Sequence, residues 1–200
     1  MRKLVVPAAM LALASLIGCS SQPAQPTSAA KPAPKAPKTL TGRSALQECY
    51  IAARAWAPDS KPFRVESEIT PEANGRDGKA MSWRASFASP AGHGAKPFMW
   101  SNGDVSPGTE DNYSPTNTST QIFDIQFLKI DSDQALEAAQ KHGGDKLLET
   151  APDTPVLYVL AWDRTTSGLM WHVLYGTDRD NAKLRIAVNA TTGEFVKVEK

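Results

Sequence analysis

Two stretches of this chain repeat one order of hydrophobic and polar patterns. Residues 44–56 place Leu46, Cys49, Tyr50, Ala53 and Trp56 at spacings of three and four, so they share one face of a helix. Ser44 and Gln47 stand at the spacing of a capping box, in which a hydroxyl accepts from the helix start and an amide reaches back. Pro58 ends the run. Alternation then replaces the helical period. Over 62–69, Phe63, Val65 and Ser67 fall on one side and Arg64, Glu66 and Glu68 on the other, which predicts a half-buried strand. The turn-forming residues 74–78 precede a second strand with Met81, Trp83, Ala85 and Phe87 on one face. A loop with Pro90, Gly92, His93 and Gly94 then precedes a third strand over 98–101.

The same order returns at Asp131. A helix is predicted over 131–142, stopped by Gly143 and Gly144, then strands over 156–162, 170–176, 184–188 and 195–198 with turns at 178–181 and 192–194. Ser44 lies 87 residues before Asp131, Trp83 lies 88 before Trp171, and Phe98 lies 88 before Ile186. Offsets this constant suggest a duplication. The pattern predicts an α+β fold in two similar halves, 39–125 and 126–200, each a helix packed on an antiparallel sheet of three or four strands. In such an architecture one face of the sheet is buried and the other left free.

The first 38 residues carry neither period. Arg2 and Lys3 precede an apolar run over 4–17, shorter than the roughly 20 residues needed to span a bilayer and suited to the core of a secretory signal. The run ends in Leu16-Ile17-Gly18-Cys19, which resembles the lipobox of bacterial lipoproteins. That resemblance implies cleavage after residue 18 and lipid attachment at Cys19. Ser20, where Asp would favour inner-membrane retention, implies sorting to the outer membrane with the folded part on the periplasmic side. Residues 1–18 then form the signal peptide, and 19–38 a lipidated cysteine followed by a linker rich in Pro, Ala and Lys. Such a linker favours extended polyproline II and acts as a tether.

Charge narrows the partners. Arg2, Lys3, Lys31, Lys35 and Lys38 supply five positive charges in a chain of formal net charge +1, so the region after Lys38 stands at −4. A mildly acidic domain lacks the basic footprint of a nucleic-acid binder. With Cys19 lipidated, Cys49 is left alone, and its place on the apolar helix stripe assigns it to the core. His93, His142 and His172 show no spacing that would place two ligands on one helix face. Asp178 and Asp180 read as a solvated turn, because the run lacks the further oxygen ligands of a calcium loop. No catalytic residue, metal site or cofactor is expected, and the protein is read as a non-enzyme. Trp83, Trp100, Trp162 and Trp171 fall on predicted strands. Alternation turns Trp83 and Trp171 inward, leaving Trp100 and His172 as the candidate partner-binding residues.

The strand Trp171-His172-Val173 and the closing run Ile186-Ala187-Val188-Asn189-Ala190-Thr191-Thr192-Gly193-Glu194-Phe195 resemble a PepSY-type, cystatin-like domain. The likeness covers 131–200, with a weaker echo over 44–105, where Asn102-Gly103-Asp104-Val105 stands in for the closing turn. The chain departs from the family by carrying Asn189 where Asp is usual and by lacking an attached peptidase domain. The resemblance implies a non-catalytic envelope module that binds a protein and restrains a peptidase. The alternatives are a structural spacer or assembly accessory lipoprotein and an envelope enzyme with an unrecognised site. The free sheet face distinguishes them: an aromatic strip favours binding, a cleft of His and carboxylates an enzyme, a featureless charged surface a spacer.

Overall fold

A computed structural model describes residues 37–199; the signal stretch, Cys19 and the linker to residue 36 lie outside the described residues. The first run comprises β1 (Leu40–Thr41), α1 (Gly42–Trp56), β2 (Lys61–Glu68), β3 (Lys79–Ala80), β4 (Ser82–Ser89), β5 (Gly94–Ser101), β6 (Asp104–Pro107) and β7 (Asp111–Asn112). The second comprises α2 (Ser132–Ala139), α3 (Asp145–Thr150), β8 (Val156–Asp163), β9 (Gly168–Tyr175), β10 (Leu184–Asn189) and β11 (Phe195–Glu199). The architecture is α+β, as expected. Apart from the short β1-β3 pair, the strands of the two halves do not form separate sheets, however. β2 pairs antiparallel with β8, Val65 opposite Leu160, and one sheet runs β11-β10-β9-β8-β2-β4-β5-β6, with β7 paired to the far end of β5. Each meander begins with a strand whose outer edge would otherwise expose unpaired backbone groups, and joining the two edges satisfies both.

The α1 stripe Ala45, Leu46, Cys49 and Ala53 is fully buried against one face of the sheet, among Trp83, Phe87 and Phe98. Ala135, Leu136 and Ala139 of α2 continue the same core with Trp171, Val173 and Ile186. At its centre the rings of Trp83 and Trp171 meet edge to face at 6.4 Å. The Trp83 indole N–H donates to the Leu40 carbonyl at 2.9 Å and that of Trp171 to the Ile130 carbonyl at 2.8 Å. Each tryptophan thus fixes the chain just before a helix, and its own indole N–H is paired.

Four local expectations change. The start of α1 is Gly42 rather than Ser44, and its cap comes from the other run: Gly42 N–H donates to Ser132 Oγ and Arg43 N–H to Asp131 Oδ1, both at 2.8 Å. Asp131 meanwhile closes a capping box with Gln134 on α2, so one carboxylate serves two helix starts. Gly143 does break the second helix, as expected, but the chain resumes at once as a further short helix. A π-type turn over Gln140–Gly144, with Gly143 at φ 118°, redirects it into α3. In β2 the register slips between Pro62 and Arg64. The bulge turns Phe63 away from Val65, and Phe63 packs with Ala88, Ala95 and Tyr113 in a small second core. Finally, β5 begins at Gly94, four residues before the expected strand, and carries Pro97 where its outer pairing lapses between β7 and β6.

Candidate interaction face

With the helices on one side, the other side of the sheet carries the even-numbered residues of β4 and β9 and the odd-numbered residues of β8, because side chains alternate along a strand. Register lines them into one row from edge to edge: Lys197, Ala187, His172, Val159, Glu66, Arg84, Met99 and Ser106. One end of this face is closed by the small second core, to which Tyr113 and Ile122 contribute from the segment after β7. Among the described residues, no helix lies over the remainder.

Several charges on the face are paired. Arg64 Nη2 lies 2.5 Å from Glu66 Oε1, and Ser82 Oγ donates to Glu68 at 2.8 Å. Toward β11, His172 Nδ1 lies 2.9 Å from Glu199 Oε2, with their side chains only 15% and 18% exposed. Lys197 Nζ bridges Asp163 Oδ2 at 3.4 Å and Glu199 Oε1 at 3.9 Å. The hydrogen bond with His172 holds the Glu199 carboxyl below its usual range against burial, helped by the charges of Lys197 and Arg179. For Asp163, burial pushes upward, but the N–H groups of Thr165 and Thr166 and the Lys197 ammonium outweigh it and leave the carboxyl lowered. Between these clusters lies a depression of about 250 Å³ bounded by Glu66, Arg84, Leu157, Leu174 and Arg179. Met170 and Leu174 lie on this side too but are each 2% exposed, so the accessible apolar area comes from the half-buried Met99, Leu157 and Ala161. The result is a mosaic of small apolar areas and alternating, paired charges.

The two residues singled out from sequence part company here. His172 sits near the middle of the row. Trp100 is 3% exposed and faces the helices, opposite Trp83 in register; it is a core residue and not a surface one. β5 keeps a strict alternation from Phe98, so Phe98 and Trp100 share the buried side. Trp83 and Trp171 are fully buried as expected. Trp162 also lies on the helix side, its ring 6.2 Å from that of Phe127. Sequence reasoning missed Lys197, Glu199 and Asp163. Their alternation along the strands was visible, but nothing local says that β11 and β8 both approach β9.

The other candidate chemistry separates. His93 occupies a positive-φ turn whose carbonyl accepts from Tyr113 N–H. His142 stacks flat on Phe195, centroids 3.9 Å apart. Asp178 gathers the Asn181 side-chain amide, the N–H groups of Asp180 and Asn181 and the Thr177 hydroxyl into a closed turn, which lowers its carboxyl. Cys49 is fully buried, and burial, followed by the charge of Glu48, pushes its thiol up to about 12. Among the described residues, no three His, Cys, Asp or Glu side chains group as metal ligands, and no helix is long and apolar enough to cross a membrane.

No protein-family model matches the chain, and no curated protein matches it. A solved structure does share its fold: a candidate lipoprotein of Clostridium difficile 630, 14% identical, superposes with a TM-score of 0.52 over 76% of this chain and 90% of its own.

Proposed function

We propose that this chain is a non-catalytic envelope lipoprotein, held to the membrane through Cys19, whose domain binds a protein partner across the free sheet face around His172. The row of register-matched residues carries this reading. A solvated spacer surface would leave its charges exposed and unpaired, whereas His172 and Glu199 are largely buried and held together. Paired charges of both signs, with small apolar areas between them, suit the polar surface of another protein rather than a polyanion. The fold shared with a candidate lipoprotein supports the lipid anchor, and outer-membrane placement on the periplasmic side follows from Ser20. Trp83 and Trp171, equivalently bonded and 88 residues apart, support descent from one duplicated PepSY-like unit. Restraint of a peptidase is the narrower form of the proposal.

A photo-cross-linking residue at position 84, in the open row, tests it in intact cells against one at position 48 on the outer side of α1. The expected result is one envelope protein captured from position 84, absent from position 48 and lost with Cys19→Ala. If position 84 enriches nothing over an unrelated lipidated control, the proposal fails and a spacer role replaces it.

A further inference from the structure

On the opposite side of the sheet, beside α1, lies a groove of about 530 Å³ that the interaction face does not use. One wall is the outer face of α1, with Tyr50 and Ile51; the other is Phe123 and Ile125, anchored by Phe123 N–H donating to the Pro62 carbonyl at 2.9 Å. Ile51 is 71% exposed, the most exposed large apolar side chain among the described residues, and Phe127, one of the two others, follows two residues after Ile125 at 41%. A large apolar side chain this exposed at the wall of a concavity marks a binding groove more often than an isolated one on a convex surface does.

The polar rim has a sense. Its two carboxylates are turned to local donors: Asp59 accepts from Ser89 Oγ at 2.7 Å and Ala91 N–H at 2.8 Å, and Asp124 accepts from Gln126 N–H at 3.1 Å. Its cations are less engaged, although the Arg54 guanidinium stands 5.8 Å from the Tyr50 ring centroid and its charge, after the Ala91 N–H and the Ser89 hydroxyl, helps lower the Asp59 carboxyl. Lys61 forms no ion pair or hydrogen bond among the described residues, and the Arg54 guanidinium gives one N–H to Tyr50 Oη at 3.4 Å and leaves the rest of its fork free. Ser60, also lining the groove, is 1% exposed and its hydroxyl has no partner. The groove therefore offers an apolar surface with Lys61 free at its rim and part of the Arg54 fork open, while its two carboxylates are at least partly turned to donors of their own. Its volume falls in the small-ligand range of about 300–1,000 Å³.

We propose that this groove binds an amphipathic carboxylate, an aliphatic chain lying on Ile51, Tyr50 and Ile125 over the buried Phe123, with its head group taken by Arg54 and Lys61. A neutral amphiphile would fill the apolar part but leave the donors unmatched, so the carboxylate is preferred.

Calorimetric titration of the full chain carrying Cys19→Ala, so that no acyl group of its own competes, with dodecanoate below its micelle concentration tests this. Saturable one-to-one binding is expected. Ile51→Asp, at a position too exposed to disturb folding, weakens it at least about tenfold. Arg54→Ala with Lys61→Ala weakens dodecanoate about tenfold and leaves dodecanol unchanged. The urea midpoint of each variant checks that the fold is kept. Absence of saturable binding overturns the proposal, as does binding that survives Ile51→Asp or dodecanol binding as tightly as dodecanoate. The cross-linking test concerns the other face of the sheet, and its outcome is independent of this one.

Discussion

Replacing Gly42 by alanine sets a local rule against a tertiary one. Gly42 is the first residue of α1, and by helix propensity Ala should be better than Gly by up to about 1 kcal/mol. Tertiary packing reverses the sign. A Cβ at Gly42 would stand 2.5 Å from Trp171 Cη2 and 2.9 Å from Trp83 Cη2. Neither ring has room to retreat. Both are fully buried, each is held by its indole hydrogen bond, and each is packed against the other. Overpacking of this kind costs about 1–3 kcal/mol, so Gly42→Ala should destabilise by about 1–2 kcal/mol net and lower Tm by about 2–8 °C. Urea denaturation followed by tryptophan fluorescence and far-ultraviolet circular dichroism gives the stability change. Trp171→Phe removes the ring that carries Cη2, so in that background the alanine should cost at least about 1 kcal/mol less, a coupling expected only of residues in contact. If Gly42→Ala is as stable as the parent, or if the two changes are additive, the account of this packing is wrong.

Trp100→Ala should cost about 3–5 kcal/mol, as expected for a core tryptophan and not a surface one, and the urea midpoint measures it. Asp131→Ala removes an acceptor shared by the starts of both α1 and α2, and should cost about 1–2 kcal/mol, with amide exchange accelerating at Arg43 and at Ser132. The Cys49 thiol should resist alkylation by iodoacetamide at pH 8 in the folded protein and react only at the rate of unfolding, since burial disfavours the thiolate. Glu199, with its folded carboxyl below the ordinary 4.5, binds its proton more readily when unfolded. Its contribution is therefore fully present above about pH 4.5 and is lost as pH falls through the folded value. Glu199→Gln should flatten the fall in stability between about pH 5 and 3, and unfolding free energies measured across that range decide it.

How much of this was legible in the chain follows from the range of the forces involved. Periodicity is local, so the stripe of α1, the alternation of β4 and β9, the Asp131 cap and the core placement of Cys49, Trp83 and Trp171 could all be read from their neighbours. The turn at Asn102-Gly103 could be read too, because two adjacent positive-φ residues, at 50° and 101°, suit a tight hairpin. Features that needed partners could not be read. A single extra residue in β2 sent Phe63 to the opposite side of the sheet from the one its alternation implied, because a bulge leaves the composition of the strand unchanged. The α1 cap was misplaced because its acceptors lie about 90 residues away, on Asp131 and Ser132. The Gly143-Gly144 pair was read as a stop, and a positive φ at Gly143 does break the helix there, but the short α3 that follows was not read.

By itself, then, the sequence determined the two main helices, the long strands, their order, and the composition of the N-terminal segment, since each depends on contacts within one or two turns of chain. The joining of β2 to β8, which turns two meanders into one sheet, was decided only in three dimensions, and the open face follows from it. Lys197, Asp163, His172 and Glu199 come from three strands and become neighbours only once β8, β9, β10 and β11 are in register. Long-range pairing of this kind is chosen by the burial and hydrogen bonding of the whole sheet, a sum that no local window of residues contains.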